Sequence, residues 1–170
     1  DLDSAPEEKE RGITIALGFT SLNLDQTNVS FIDVPGHERL IRTMIAGATG
    51  LDAVLLCVSA TDSVMPQTVE HLNILNLLNI PQGIIAITMC DLADDDDIEL
   101  ITEELQELLE GTFLEDAPII QTSSGSGDAP PFGQQELQIA IQRLVDNTET
   151  IDDATPFRLP VDRVFSQKGF

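Results

Sequence analysis

An aspartate, a glycine and a histidine follow one another within five residues, directly after an apolar run. In the segment from Phe31 to Glu38 the acid stands where a buried strand would end. Open α/β sheets bind their ligands at the carboxyl ends of their strands. Asp33 is suited to a metal ion, Gly36 lets the backbone approach a phosphate without a Cβ, and His37 can position water. Together these residue types predict nucleoside-triphosphate hydrolysis.

Three further short motifs lie at the ends of predicted strands. Each has an ordinary structural explanation when it is considered alone: Thr14 as a turn residue, Asp91 as a helix cap. The functional interpretation of Asp91 is that its carboxylate accepts two N–H bonds from a guanine edge, which adenine cannot offer. The motifs are Arg11-Gly12-Ile13-Thr14, Met65-Pro66-Gln67-Thr68 and Thr88-Met89-Cys90-Asp91.

The charge of the chain limits its partners. Its 170 residues include 30 acids and 8 bases, for a net charge of −22. Such a surface repels nucleic-acid phosphates, so we expect any RNA partner to be held mainly by parts of the protein outside this chain. The run from Asp94 to Asp97 is expected to begin a helix rather than to bind a metal ion, because acids are favoured at helix N-termini.

The composition predicts a soluble, cytoplasmic domain with a hydrophobic core. Hydrophobic residues make up 42% of the chain, and no run of 18 apolar residues suggests a membrane span. The first residues show no signal-peptide pattern. Cys57 and Cys90 lie within apolar runs, so we interpret both as buried thiols in a reducing compartment.

Hydrophobic periodicity predicts the elements that would position these motifs. Alternation from Ile13 to Phe19 predicts a half-buried strand with its odd-numbered residues facing the core, and residues 29–34 should return antiparallel to it. Continuous apolar runs are typical of parallel strands covered on both faces. Alternating strands and helices predict an α/β fold, a doubly wound sheet. The remaining predicted strands are 53–60, 83–88 and 117–120, and the helices lie near 40–48, 66–78, 98–108 and 137–145.

The four ordered motifs resemble those of the translational GTPases, which have a P-loop GTPase-type sheet. Within that superfamily, residues 7–19 resemble the first switch of the selenocysteine-specific elongation factors. Residues 156–170 resemble the opening of the second domain of those factors. The general elongation factor that carries aminoacyl-tRNA and an initiation-factor relative are the alternatives within the superfamily.

The resemblance implies a role for each motif residue. Thr14 would close over the γ-phosphate and ligate Mg²⁺, and Asp33 would hold the same ion through water. His37 would be catalytic, orienting the attacking water when the ribosome aligns it. His71, on a predicted helix without a motif, is expected to be structural or exposed. The implied nucleotide-binding residues are Thr14, Asp33, Gly36, Thr88, Asp91, Ser123 and Ser124, and the implied metal ligands are Thr14 and Asp33.

The resemblance also implies a domain division. Residues 1–147 would be a GTPase domain lacking its N-terminal part, 148–155 a linker, and 156–170 the start of a β-barrel domain. No segment matches the phosphate-binding loop G-x-x-x-x-G-K-[ST], which in the family precedes the first switch together with a central strand. We therefore expect these residues alone to bind nucleotide weakly or not at all. Met89 stands where the family usually has lysine.

The implied function is that of a GTP-hydrolysing elongation factor that uses GTP, GDP and Mg²⁺. It would deliver selenocysteinyl-tRNA to the ribosome, mainly through domains outside this chain, and no membrane partner is expected. Loss of the γ-phosphate would release the segments around Thr14 and Gly36, which converts bond cleavage into a change of shape. The alternative from a different class is a nucleotide-independent remnant that has lost hydrolysis.

Overall fold

A computed structural model describes residues 14–24, 27–37, 41–48, 50–127 and 129–148. The implied start of a second domain at 156–170 and the motif residues Arg11, Gly12 and Ile13 lie outside these ranges. Within them the chain forms five strands, four α-helices and one short 3₁₀ helix. In chain order these are β1 Gly18–Leu24, β2 Thr27–Asp33, α1 Ile41–Ala48, β3 Val54–Ser59, α2 Pro66–Leu77, β4 Gly83–Thr88, the 3₁₀ helix Cys90–Leu92, α3 Asp95–Leu109, β5 Ile119–Gln121 and α4 Gln134–Asn147.

The described strands form two sheets. β1 and β2 make an antiparallel hairpin in which Gly18 lies opposite Asp33. β3, β4 and β5 form a parallel sheet in that order, so β4 is paired on both sides. Parallel strands joined by crossover helices are the defining feature of the α/β class. The predicted fold class is therefore confirmed.

Helices cover both faces of the parallel sheet. On one face, α2 and α3 bury their apolar stripes, and each fully buried large aliphatic side chain contributes about 1.5–3 kcal/mol. On the other face, Ile141 of α4 packs with Ile84 of β4 and with Leu24 of the hairpin. The first face is built from Leu56, Val58, Ile85 and Ile87 of the sheet with Leu72, Ile98, Ile101 and Leu105 of the helices.

Each of the two sheets has an edge that no other described strand pairs with. Among the described strands, none pairs with the edge of β2 opposite β1, and none pairs with the edge of β3 opposite β4. The two edges belong to neighbouring parts of the fold, because Val34 after β2 and Val54 of β3 pack on the same cluster around Met44 and Leu75. An edge strand presents unused backbone N–H and C=O groups that can accept another strand.

For the first strand, the predicted starting residue and the predicted buried face are both wrong. Residues 14–17 precede β1, whose register with β2 begins at the pair Gly18 and Asp33. Phe19 is 68% exposed, whereas Leu24 is buried and Leu22 is half-buried. Since successive side chains point to opposite faces, the two leucines fix the even-numbered residues toward the core. The predicted antiparallel return after residues 25–28 is confirmed.

The two cysteines differ in their burial. Cys90 is buried, as expected, and its thiol donates to the Ile87 carbonyl at 3.3 Å. Cys57 is exposed, so the prediction of a buried thiol is wrong there. Alternation along β3 places Cys57 opposite the buried face of Leu56 and Val58, on the strand with an unused edge.

The acidic run begins a helix, as predicted. Asp94 is the N-cap of α3, and its side chain accepts the Asp97 N–H at 2.9 Å. No cluster of three or more potential metal-binding His, Cys, Asp or Glu side chains occurs among the described residues. None of the helices described there is long and apolar enough to cross a bilayer.

Candidate functional site

The carboxyl ends of β4 and β5 are tied together by backbone hydrogen bonds. The Thr122 N–H donates to the Ile87 carbonyl at 2.7 Å, and the Cys90 N–H donates to the Thr122 carbonyl at 3.2 Å. These bonds continue the sheet beyond its last paired residues. As a result the turn that carries Asp91 and the loop that begins at Ser123 are held side by side.

The carboxylate of Asp91 is the centre of this arrangement. The Ser123 hydroxyl donates to Oδ1, and the Ser126 hydroxyl donates to Oδ2 at 2.5 Å. The hydrogen bonds from Ser123 and then from Ser126 lower the pKa of Asp91, because they favour the charged form. An ionised carboxylate is a pure acceptor, so this group, which we call the Asp91 cluster (Asp91, Ser123, Ser126), suits a ligand with N–H donors.

Ser123 is fixed in place from several directions. It is only 2% exposed, and its hydroxyl accepts the Gly125 N–H at 2.8 Å. Its backbone forms an isolated bridge with Phe132 through bonds of 3.0 and 3.1 Å, and the Gln134 amide donates to its carbonyl at 2.5 Å. The neighbouring Ser124 is exposed. The loop is therefore closed at its base, directly beneath the Asp91 carboxylate.

Gly133 is required where this loop returns to α4. Its φ of +82° lies in the left-handed region that side chains disfavour. A Cβ at this position would overlap the Gln121 carbonyl oxygen and lie 2.9 Å from the Thr122 Cα. Only glycine lets the loop pack this closely against the end of β5.

Met89 presents an apolar surface beside the Asp91 cluster. It has φ 59° and ψ 29°, a left-handed conformation uncommon for residues other than glycine, and is 50% exposed. The Ser59 hydroxyl donates to its sulfur at 3.8 Å, and the preceding Thr88 hydroxyl donates to the Val58 carbonyl at 3.4 Å. Backbone strain of this kind occurs often at binding sites.

The second group of predicted site residues follows the hairpin. Asp33 is the half-buried last residue of β2, Pro35 is fully buried, and Gly36 and His37 are exposed. We call residues 33–37 the Asp33 turn. Thr14 precedes β1 and is half-buried. The buried proline anchors the turn, so the glycine amide and the imidazole lie at the surface.

His71 of α2 packs against the Asp33 turn, which the sequence did not reveal. A Cβ built on Gly36 would lie 3.6 Å from His71 Cε1, and the imidazole is hydrogen-bonded to the Gly36 backbone. Burial lowers the pKa of His71, against opposing effects of the Glu70 charge and of this hydrogen bond.

The structure brings together some predicted site residues and not others. Asp91 and Ser123 are in direct contact, with Thr88 at the end of the adjoining strand. Asp33, Gly36 and His37 form a separate turn at the end of the hairpin. Ser126 in the Asp91 cluster and His71 beside Gly36 were missed, since neither belongs to a recognisable motif.

Comparison with known proteins identifies the family to which this chain belongs. A family profile described as "Elongation factor Tu GTP binding domain" matches residues 1–152. The chain belongs to this family. The described sheets and helices are accordingly part of a GTP-binding domain, or G domain, and the Asp33 turn and the Asp91 cluster are two regions of it.

Within this G domain family the chain is similar to selenocysteine-specific elongation factors. It is 46% identical to one from Desulfomicrobium baculatum over 168 residues, which cover 98% of this chain and 26% of the relative. A crystal structure of a bacterial factor, EF-Sec, matches with a TM-score of 0.85 and 34% identity over 99% of this chain and 28% of that one.

A second solved relative is elongation factor SelB from Methanococcus maripaludis in complex with the GTP analogue GPPNHP. It matches with a TM-score of 0.73 and 34% identity over 81% of this chain and 30% of that one. The G domain described here thus spans between a quarter and a third of the length of these relatives. Their similarity confirms the resemblance that the ordered motifs indicated.

Proposed function

We propose that the complete protein is a GTP-binding and GTP-hydrolysing translation elongation factor that delivers selenocysteinyl-tRNA to the ribosome. The observation that carries the proposal is the Asp91 carboxylate, held ionised by Ser123 and Ser126 at the strand ends of a GTP-binding family member. The 46% identity to a selenocysteine-specific factor supports the choice of cargo over a general elongation factor or an initiation-factor relative.

The base would bind at the Asp91 cluster. Asp91 would accept the N–H donors of guanine, and charge-assisted bonds of this kind are roughly twice as strong as neutral ones. Ser123 and Ser124 would contact the base from the following loop, and Thr88 would close the strand end beneath it. The exposed Met89 would supply apolar contact with the purine in place of the lysine stem common in the family.

The phosphates would lie at the Asp33 turn. The exposed Gly36 would direct its N–H at the γ-phosphate, with no Cβ to obstruct the approach. Thr14 would offer its hydroxyl oxygen to Mg²⁺, and Asp33 would hold the same ion through water. Mg²⁺ binds such oxygen ligands together with phosphate oxygens. Mg²⁺, when bound, neutralises charge on the phosphates. His37 would orient the attacking water.

The edges of β2 and β3 that no described strand pairs with support the proposed domain division. A strand preceding the first switch would pair with both edges and join the two sheets, bringing the phosphate-binding loop beside Gly36. Residues 1–147 would then be most of a G domain, with 148–155 a linker and 156–170 the start of a β-barrel domain. The tRNA and the ribosome would contact mainly other domains of a cytoplasmic protein, consistent with the net charge of −22.

Nucleotide titration by calorimetry tests the proposal. The protein expressed from its complete reading frame should bind GTP and GDP at least about 100-fold more tightly than ATP, because adenine lacks the donor pattern that Asp91 accepts. The isolated 170-residue chain should bind them weakly or not at all. Equal affinity for GTP and ATP would contradict the assigned function, and micromolar or tighter GTP binding by the isolated chain would contradict the domain division.

The cargo is tested separately with charged tRNA. In the GTP-bound state the complete protein should protect the ester bond of selenocysteinyl-tRNA from hydrolysis and leave that of seryl-tRNA unprotected. The GDP-bound state is the control, because loss of the γ-phosphate contact should release the cargo. Equal protection of both tRNAs would favour a general elongation factor.

A further inference from the structure

A groove lies at the amino ends of the parallel strands, at the opposite end of β4 from the Asp91 cluster. Its volume is about 540 Å³. The first residues of β4, the turn that follows α3 and the last turns of α4 line it. Because open α/β sheets bind their small ligands at the carboxyl ends of the strands, a groove at this end favours another kind of occupant.

Apolar side chains make up much of the lining of this groove. Leu144 and Ala140 of α4 are half-buried, as is Phe113 in the turn that follows α3. Ile84 of β4 is buried. An apolar side chain that entered the groove would be removed from water, which is the main source of favourable energy in packing.

The chain leaves α4 at the rim of the groove. Thr148 is the C-cap of α4 and has an extended backbone conformation. Its hydroxyl accepts a hydrogen bond from the Gln82 amide at 2.8 Å and donates to the Leu144 carbonyl at 2.8 Å, and both of these partners line the groove. Three residues of extended chain span about 10 Å, so Ile151 can reach the centre of the groove from this fixed point.

The groove has an arginine that no described residue neutralises. Arg143 is the one base among the described residues of the lining, and none of them forms a hydrogen bond or an ion pair with its guanidinium. The chain has 30 acids and 8 bases, so such an arginine is uncommon here. Of the two acids in the lining, Glu115 accepts the Gly111 N–H at 3.0 Å, which leaves Asp116.

The sequence that follows α4 matches the groove in polarity and charge. Residues 149–153, which lie outside the described ranges, are Glu-Thr-Ile-Asp-Asp. Ile151 is the one large apolar residue between α4 and Pro156. Alternate side chains of an extended chain share a face, so Glu149 and Asp153 would lie on the same side as Ile151. An apolar side chain between two carboxylates is complementary to an apolar groove with one arginine.

We propose that this groove is the docking site of residues 149–153, with Ile151 packed against the apolar lining and a flanking carboxylate paired with Arg143. Docking fixes the direction in which the chain leaves α4. The part of the protein that follows therefore starts from a set position, at the end of the sheet opposite the Asp91 cluster. Docking requires no nucleotide, so its test is separate from that of the proposed function.

Limited proteolysis with a Glu-specific protease tests the docking in the protein expressed from its complete reading frame. Cleavage after Glu149 requires release of the surrounding chain, so its rate follows the population of the released form. Ile151→Ala should raise this rate about 10-fold, the lower end of what burial of one isoleucine side chain supplies. Each rate is divided by that of a synthetic peptide of residues 145–157 with the same substitution, which removes any effect of the sequence on the protease.

A matched variant on the same helix serves as the control. Ile139 of α4 is 54% exposed and lies outside the groove, so Ile139→Ala should leave the cleavage rate at Glu149 unchanged. Equal rates in the wild-type protein and Ile151→Ala would overturn the docking. A wild-type rate that falls as the protein concentration rises would show that a second copy covers the groove, and would also overturn it.

The role of the arginine is tested in the same way. Arg143→Gln should raise the cleavage rate about 3-fold, less than Ile151→Ala does, because an ion pair at a surface is weak. Arg42→Gln replaces an exposed arginine of α1 and should have no effect. Equal rates in Arg143→Gln and Arg42→Gln would overturn the proposed ion pair.

Nuclear Overhauser effects give a direct view of the docked segment. In the methyl-labelled complete protein, the methyl groups of Ile151 should show such effects with those of Leu144. The variant Ile151→Ala assigns the signals. Absence of any effect between Ile151 and the side chains that line the groove would overturn the docking, whatever the cleavage rates.

Discussion

The Asp91 cluster and the Asp33 turn are built to different degrees of completeness. The Asp91 cluster lies at the ends of strands that are paired with each other, and hydrogen bonds join its members directly. The Asp33 turn follows a strand with an unused edge among the described residues, and its glycine and histidine are exposed. On the proposed function, recognition of the base would therefore depend on local structure already in place, whereas contact with the phosphates would depend on neighbouring segments.

The largest effect should come from removing the central acceptor of the Asp91 cluster. Asp91→Asn replaces one carboxylate oxygen with an amide donor, so GTP affinity should fall about 100-fold or more, as two charge-assisted bonds are lost. Xanthosine triphosphate should then bind better than GTP, because its carbonyl faces the new donor. Calorimetry on the complete protein measures both.

Asp94→Asn is the matched control for this variant. Asp94 is an exposed acid three residues later, and asparagine caps a helix as well as aspartate does. GTP affinity should be unchanged. Retention of the guanine preference by Asp91→Asn would break the comparison, because the Asp91 cluster would then not be where the base is read.

At the Asp33 turn, replacement of His37 should affect the rate of GTP hydrolysis rather than the affinity for GTP. In the complete protein, His37→Ala should slow ribosome-stimulated GTP hydrolysis about 100-fold, the lower range for a positioned proton-handling group. GTP affinity should stay nearly the same, because His37 would contact water and not the nucleotide. Single-turnover rates with ribosomes provide the test, and rates equal to wild type would remove His37 from the mechanism.

Alanine substitutions at two glycines compare the packed end of the loop from Ser123 to Gly133 with an open surface site. Gly133 and Gly111 have similar φ values of +82° and +71°, but a Cβ would overlap backbone atoms only at Gly133. Gly111→Ala should lower the free energy of unfolding by about 1 kcal/mol through backbone strain alone. Gly133→Ala should cost about 2 kcal/mol more, since the overlap adds to this strain.

Urea denaturation followed by GDP titration distinguishes the two glycine variants. Gly133→Ala should also bind GDP more weakly than the wild-type protein, because the change displaces the loop carrying Ser123. Gly111→Ala should bind GDP as the wild-type protein does. Equal losses of stability in the two variants would show that the loop adjusts freely, and the Asp91 cluster would then be less rigid than its contacts indicate.

The smallest effect concerns the contact between His71 and Gly36. Burial lowers the pKa of His71, so the unfolded chain, with a pKa near 6.5, binds the proton more tightly than the folded protein does. The stability present above about pH 6.5 is therefore lost as the pH falls through the folded pKa. His71→Gln should remove this part of the pH dependence.

Urea denaturation at about pH 7.5 and about pH 5.5 measures this contribution. The free energy of unfolding of the wild-type protein should decrease more between the two values than that of His71→Gln. An identical decrease in both proteins would mean that His71 is not buried against the Asp33 turn.

Local signals predicted the elements and the motifs, and long-range contacts escaped prediction. The start of α3 at Asp94 was predictable, because a run of acids and the helical spacing that follows are both local. The face of β1 was mispredicted, because the buried side of a strand is set by what packs against it, here Leu24 with Ile84. Alternation gives the period of a strand but does not say which phase is buried.

The same distinction applies to the site. Asp91 belongs to an ordered motif at a strand end and Ser123 was implied by the family resemblance, and the structure places the two in direct contact. Ser126 lies 35 residues from Asp91 and His71 lies 35 residues from Gly36, and neither contact leaves a pattern in the sequence. Each of the two missed residues contacts a motif residue from a distant part of the chain. Contacts of this kind become visible only in the folded structure.

The central claim is that the Asp91 cluster and the Asp33 turn bind opposite ends of one nucleotide. The most direct measurement is a titration of the ¹⁵N-labelled complete protein with Mg²⁺ and a non-hydrolysable GTP analogue, followed at the backbone amides of Ser123 and Gly36. We predict that both amide signals shift with a single shared dissociation constant. A shift at Ser123 without one at Gly36, or two different dissociation constants, would contradict the claim.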